Sequence, residues 1–332
     1  MLPFRLVYSD KYLLPIGAHV FPADKYLRTR DRLISLGVAE ASDFVEPVMA
    51  SDADVLLVHT PFYVDKLKRG ILSTREELEL EIPFSHGLAE RFWLMAGGST
   101  VAADFALRDM VCVHVGGGFH HAFPDHGEGF CMVHDVAVAI RRMQRDGRIV
   151  RAMIVDCDVH QGNGSAAIFG EGEPEPFPKP MWISGQRMAS RPANMKTSAA
   201  RDVFTVSLHQ ENNYPLWKPP SSIDINLPDG TTDGQYMEWL RVALDSAIQR
   251  FPEPELICYI AGADPYIHDQ LGGLALTIEG LKQRDCLVLT FARELGVPVM
   301  VTYAGGYARN IEDTVTIHAN TVVAAKEVFG NR

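Results

Sequence analysis

The sequence predicts an α/β protein built on a mainly parallel central sheet flanked by helices. Three observations carry this. Short apolar, β-branched runs of strand length recur along the chain, and unbroken rather than alternating apolarity suits strands buried on both faces. Amphipathic stretches of helical period lie between them, and strand–helix alternation marks a parallel sheet with crossover helices. Four of the runs end in glycine-rich turns bearing polar residues, where open α/β sheets place their sites.

Taken in order, Val55–Val58 (VLLV) is the first expected strand and Thr100–Arg108 (TVAADFALR) an amphipathic helix. Met110–Val115 (MVCVHV) is a strand and Asp135–Arg145 (DVAVAIRRMQR) a helix. Ala152–Val155 (AMIV) and Val203–Leu208 (VFTVSL) are strands, followed by a helix over Asp233–Arg250. Leu256–Ile260 (LICYI) is a strand, Gly280–Leu295 a helix, Val297–Tyr303 (VPVMVTY) a strand and Thr314–Val328 a closing helix. Gly170–Arg201 is rich in Pro, Gly and Ser, has weak periodicity, and reads as an irregular insertion or loop. The motifs on its two sides belong together, so it is no domain boundary, and 1–332 is expected to form a single catalytic domain.

Composition narrows the class. The chain has 332 residues, 47% hydrophobic and 22% charged, which excludes extended disorder as its overall state. Lys+Arg is 31 against Asp+Glu 42, and the net charge of −11 argues against broad binding to nucleic-acid phosphates while remaining compatible with a cationic substrate. Five scattered cysteines without a CxxC exclude a disulfide framework or a zinc ribbon. Cys112, Cys157 and Cys258 sit in apolar runs and are expected to be buried and inert. No apolar run reaches the ~18 residues a membrane span needs. The start, MLPFRLVYSDKYLLP, lacks a basic segment followed by a long apolar core, so a cytoplasmic location is expected.

Chemistry concentrates at the strand ends. Met110–Val115 runs into Gly116-Gly117-Gly118-Phe119-His120-His121, and Ala152–Val155 into Asp156-Cys157-Asp158-Val159-His160-Gln161-Gly162-Asn163-Gly164. Leu256–Ile260 runs into Ala261-Gly262-Ala263-Asp264-Pro265, and Val297–Tyr303 into Ala304-Gly305-Gly306-Tyr307. Asp158 and His160, two apart in an extended segment, point to the same side and can share one ion. Asp264 completes three protein ligands with a fourth position open, the form of a catalytic metal site. Two carboxylates and an imidazole accept Zn²⁺ and also Fe²⁺.

Adjacent residues such as His120 and His121 face opposite ways in an extended strand, and the preceding glycines allow the kink that turns both into one cavity. Histidine suits proton transfer near neutral pH, and each ring needs an acceptor to fix its tautomer. Asp156 and Asn163 are the available acceptors. Tyr307, on a turn freed by two glycines, can donate to an oxyanion.

The ordered segments GGGFHHAFPDHGEGFCMVHDVAVAI, IVDCDVHQGNGSAAIF, VSLHQENNYP, AGADPYIHDQLGGLALT and AGGY resemble the zinc-dependent histone deacetylase family. HQGNG and DQLGGLALT look most like its class IV branch and related bacterial proteins. The resemblance runs from about His19-Val20-Phe21-Pro22 to about Asn320. It implies the arginase–deacetylase fold and hydrolysis of an acyl-lysine protein or peptide, or of another N-acyl amine.

Carried over by motif, the resemblance makes Asp158, His160 and Asp264 the metal ligands. His121 becomes the general base, His120 with Asp156 its electrostatic partner, Asn163 the acceptor behind the base, and Tyr307 the hydrogen-bond donor to the scissile carbonyl. Gly129 and Phe130 resemble the substrate tunnel, Tyr214 its opposite aromatic wall and Leu271 an apolar wall near the metal; Gly305 and Gly306, which carry the tyrosine turn, are likewise expected at the substrate-binding site. A K⁺ site built from Asp156, Asp158, His160, Ser207 and Leu208 is also implied.

The sequence departs from the pattern in three places. Asn163 is Asp in some branches, Gly170–Arg201 is long, and Leu271 stands near where a polyamine-specific branch carries an acidic gatekeeper. The alternatives are an acetylpolyamine or small N-acyl amine hydrolase, a two-metal ureohydrolase, and a non-catalytic acyl-lysine binder. Asp264-Pro265-Tyr266 lacks the D-x-D that a second metal needs, and no ligand, histidine or tyrosine is missing as a pure binder would suggest.

Overall fold

A computed structural model describes residues 1–170 and 202–330, so the expected loop at 170–201 lies, apart from Gly170, outside the described residues. Eight strands form one sheet in the order β2-β1-β3-β8-β7-β4-β5-β6. They are β1 (Leu6–Val7), β2 (Phe44–Val45), β3 (Val111–His114), β4 (Ala152–Asp156), β5 (Val203–Gln210), β6 (Ile223–Leu227), β7 (Leu256–Ile260) and β8 (Val299–Thr302). Every pairing is parallel. The helices are α1 (Lys25–Ser35), α2 (Asp52–Val55), α3 (Pro61–Arg69), α4 (Thr74–Leu80), α5 (His86–Asp109), α6 (Asp135–Arg145), α7 (Asn163–Phe169), α8 (Asp233–Arg250), α9 (Ile278–Leu295) and α10 (Ile311–Phe329).

The unbroken apolar runs are buried at every position in β3, β4, β5, β7 and β8, as a sheet covered on both faces requires. Helix α5 packs on α6, and α10 packs on α9 and α1. The four chemistry-bearing strands are consecutive in the sheet (β3-β8-β7-β4). Their register levels the carboxyl ends, with His114 opposite Thr302, Ile260 opposite Thr302, and Asp156 opposite both Ile260 and Ser207.

Local signals explain the boundaries. Helix α9 starts where Thr277 accepts the Gly280 N–H and stops at Gly296 in the left-handed region. Helix α8 starts at a capping box of Thr232 and Gln235. The expected strand at Val55–Val58 is not one. Ser51 and Asp54 form a capping box that starts α2, and the His59 N–H bonds the Val55 carbonyl, so these apolar residues coil. Cys112, Cys157 and Cys258 are free and buried. No described helix is long and apolar enough to cross a membrane.

Candidate metal centre and active-site pocket

The glycines after β3 do two things. Gly117 and Gly118 take positive φ (+67° and +83°), and a Cβ on Gly118 would come within 2.6 Å of the Ala304 backbone nitrogen. Asp135, at the start of α6, fixes this turn by accepting the N–H groups of Gly118 (3.0 Å) and Phe119 (2.8 Å). The reversal lays the His120 and His121 rings side by side, 4.2 Å between centroids, in one pocket. His120 Nδ1 lies 2.6 Å from Asp156 Oδ2, and His121 Nδ1 lies 2.7 Å from Asn163 Oδ1.

Their electrostatics diverge. Burial opposes charge on His120, but Asp156 and Asp158 outweigh it and raise its pKa to about 9. Burial, then the charges of His120 and His160, hold His121 well below the ordinary histidine range. The two adjacent rings are thus pushed in opposite directions, His120 toward the charged form and His121 toward the neutral one.

Asp158, His160 and Asp264 converge beside this pair, their ligand atoms all within 4.8 Å of one another, and all three are buried. Asp158-Val159-His160 is a bend beyond β4 rather than an extended strand. It is held because Asp264 Oδ1 accepts the Val159 N–H (2.9 Å) and Asp158 Oδ1 accepts the His160 N–H (3.0 Å). Asp158 Oδ2 accepts the Gly305 N–H (2.8 Å). A Cβ on Gly305 would sit 1.9 Å from Asp264 Oδ2, so this close approach demands glycine. Asp264 Oδ2 itself is buried with no hydrogen-bond partner among the described residues. An orphaned carboxylate oxygen beside a second carboxylate and an imidazole nitrogen fits a divalent cation.

Tyr307 closes the pocket. Its ring stands 6.4 Å from His160 and 6.0 Å from Phe130, and its hydroxyl has no hydrogen-bond partner among the described residues. The Asp269 carboxylate pins its backbone, accepting the N–H groups of Tyr307 (2.7 Å), Leu271 (2.8 Å) and Gly272 (3.1 Å). Gly129, Phe130 and Gly305 line the pocket, and the Tyr214 ring stands edge-on to His121 at 5.0 Å. Leu271 and Gly306 are not among the lining residues; Gly306 packs against Ala263 and Thr314. Of the residues expected to hold K⁺, Ser207 is the register neighbour of Asp156, and Leu208 follows it.

Residues 19–322 match the histone deacetylase domain. The chain belongs to the histone deacetylase family. Similar proteins include an uncharacterized protein of Picosynechococcus sp., 35% identical over 98% of this chain and 99% of its own length. Histone deacetylase 2 of Arabidopsis thaliana is 30% identical over 93% of this chain and 77% of its own. The acetoin utilization protein AcuC of Bacillus subtilis is 28% identical over 91% and 76%. Among solved structures, an HDAC homolog complexed with SAHA superposes with a TM-score of 0.74 at 23% identity, covering 99% of this chain and 84% of the other. The HDA15 HD domain gives 0.73 at 20%, covering 99% and 91%. The structural likeness shows the arginase–deacetylase fold, and family membership supports a deacetylase hydrolase acting on an acetylated substrate.

This histone deacetylase family member carries polar residues at the pocket that sequence reasoning missed. Lys25, fully buried, donates to the Ala304 carbonyl (2.6 Å) behind Tyr307, and burial lowers its pKa to about 8. Arg284, also fully buried, donates to the carbonyls of Cys157 (3.1 Å) and Gly262 (2.6 Å), bracing the turns that carry Asp158 and Asp264, and pairs with Asp285. Glu128 accepts from Asn163 Nδ2 and the Tyr214 hydroxyl, both at 2.6 Å. Glu128 and Asp269 lie inside the GEGF and HDQLGG motifs and carried a local signal. Lys25 and Arg284 sit in ordinary helical sequence and carried none.

Proposed function

We propose that this protein hydrolyses the amide of N-acyl-lysine by general-base catalysis at a divalent metal centre. The supporting observation is that His160, His121 and Tyr307 line one pocket, with Asp158 and Asp264 grouped about His160 and the His121 pKa held low. Zn²⁺ held by the three ligands, or Fe²⁺ on the same donor set, supplies Lewis acidity for the carbonyl and the attacking water.

The chain does the rest. His121 Nε2 takes a proton as water attacks, because Nδ1 is engaged by Asn163. The Tyr307 hydroxyl donates to the oxyanion of the tetrahedral adduct. His120, held as a cation by Asp156, steadies negative charge alongside. His121 then returns its proton to the leaving nitrogen, so a neutral amine departs with the carboxylic acid, which releases its proton to water and leaves as the carboxylate. Phe130 and Tyr214 flank the acyl chain, and Gly129 accepts from the substrate amide. Asp156, Asp158, His160, Ser207 and Leu208 would hold K⁺ in this scheme.

The deciding experiment is a panel of acyl-lysine peptides of graded acyl length set against acetylpolyamines, with metal content measured on the same preparation. Turnover of the peptides supports the proposal. Turnover confined to the polyamines transfers the same chemistry to a small-amine substrate.

A further inference from the structure

The base His121 has an unusual acceptor arrangement: a neutral amide stands between its imidazole and a carboxylate. Asn163 presents Oδ1 to His121 Nδ1 (2.7 Å) and Nδ2 to Glu128 Oε1 (2.6 Å). An ionised carboxylate only accepts hydrogen bonds, so the amide must turn its NH₂ to Glu128 and its oxygen to His121. The Gly164 N–H, 3.1 Å from the same Oδ1, favours that orientation too. An acceptor at Nδ1 requires Nδ1–H, which leaves the Nε2 lone pair free for proton abstraction.

The same Glu128 oxygen accepts the Tyr214 hydroxyl at 2.6 Å. His126 Nε2 lies 3.5 Å from the other. The Glu128 side chain is only 22% exposed, so its carboxylate spends most of its hydrogen-bonding capacity on protein donors rather than on water. The next residue, Gly129, packs so tightly that a Cβ there would come 2.9 Å from both the His121 ring and the Tyr214 ring. Glu128 is therefore the polar link between the base and the Tyr214 ring that stands edge-on to it.

We propose that Glu128 is a positioning residue for the reaction. It holds the Asn163 amide in the sense that fixes the His121 tautomer, supplies through that amide the negative charge Asn163 lacks, and ties the base to Tyr214. This rests on the reading of His121 as the base.

The test is a double-mutant cycle on the zinc-loaded enzyme with acetyl-lysine peptide and acetylpolyamine substrates. Glu128→Gln should lower kcat by about tenfold with little change in KM, the scale of lost outer-shell support. Asn163→Asp should also lower kcat, because two carboxylates then face each other across the Asn163–Glu128 contact. Adding Glu128→Gln to Asn163→Asp should raise kcat again, since the glutamine NH₂ can donate to the new carboxylate. The effect of one substitution thus changes sign with residue 163. An equal loss in both backgrounds would overturn the proposal, because a merely structural role has no such dependence.

Nitrogen-15 spectra of the histidines read the same point without turnover. The wild type should show His121 as the Nδ1–H tautomer, and Glu128→Gln should shift that signal. If wild-type protein cleaves neither substrate, the activity reading fails while the spectra still decide the relay, and an unchanged His121 signal in Glu128→Gln overturns it.

Discussion

His121 and Asn163 are joined by a 2.7 Å hydrogen bond from an imidazole to an amide oxygen rather than to a carboxylate. Burial and the nearby charges of His120 and His160 depress the His121 pKa, and Asn163 offsets only part of this. A general base must be neutral, so its pKa sets the acid limb of the kcat/KM profile. Asn163→Asp places a negative charge against the ring and raises that pKa, moving the acid limb to higher pH by about one unit or more. A pH–rate profile reads this directly, and an acid limb that stays put would mean another group controls it.

Removing the two groups proposed to act on the reacting atoms should separate activity from stability. His121→Ala is expected to cut turnover by about 10²–10⁴. Tyr307→Phe should cut it by about 10²–10³, the range for one lost oxyanion donor. Tyr307→Phe breaks no hydrogen bond among the described residues, so its melting temperature should match the wild type. Near-normal rates in both variants would remove these residues from the mechanism.

Chelation should abolish turnover, and Zn²⁺ or Fe²⁺ should restore it. Two buried carboxylates repel each other without a cation, so metal should also raise the melting temperature in a concentration-dependent way. Asp264→Asn should bind metal more weakly and lose that response. A melting curve indifferent to metal and chelator would count against the assigned ligands.

The protein should be acid-sensitive through histidines away from the metal. Burial lowers His59 to about 4 and His114 to about 3, and burial with neighbouring histidines holds His134 well below the usual value. His59 Nε2 accepts the His134 N–H (3.0 Å), and His134 Nδ1 accepts the Ala137 N–H (3.2 Å), so protonation breaks these bonds. The unfolded chain binds protons from about pH 6.5 downward. The stabilisation is therefore complete above that pH and falls as the pH drops toward 4, by up to about 1.4 kcal/mol per pH unit per histidine. Urea midpoints at pH 7.5 and 5 provide the check; equal midpoints would contradict it.

Arg284→Lys should loosen the metal centre without touching a ligand. A lysine keeps the charge but cannot reach both the Cys157 and Gly262 carbonyls while paired with Asp285. Metal affinity, read by competition with a chromogenic chelator, should fall about tenfold. Arg284→Met, which leaves Asp285 buried without its partner, should cost about 3–5 kcal/mol in stability. An unchanged affinity in Arg284→Lys would reduce Arg284 to a packing role.

The legible part of the molecule was its centre. Strands buried on both faces leave a continuous apolar signature, and β7 spans the same residues as its run, Leu256–Ile260. The two-residue β1 and β2 are too short to register. Strand β6 is an edge strand with partly exposed positions, and its apolar run is broken by Asp224 and Asn226. Val55–Val58 has the apolar content of a strand, and only the Ser51–Asp54 capping box marks the helix that runs into it. In the site, residues within glycine-rich strand ends could be found. Residues reaching in from a helix, such as Lys25 and Arg284, could not, since their purpose appears only when distant turns meet.

The uniform direction of the eight strands makes the molecule one-sided. Every chemical turn leaves a carboxyl end, so the opposite rim carries none of the residues assigned a role. Val150, 68% exposed just before β4, lies on that rear rim. A cysteine placed there would anchor the protein to a solid support with the pocket facing the solution, an orientation the parallel sheet provides without redesign.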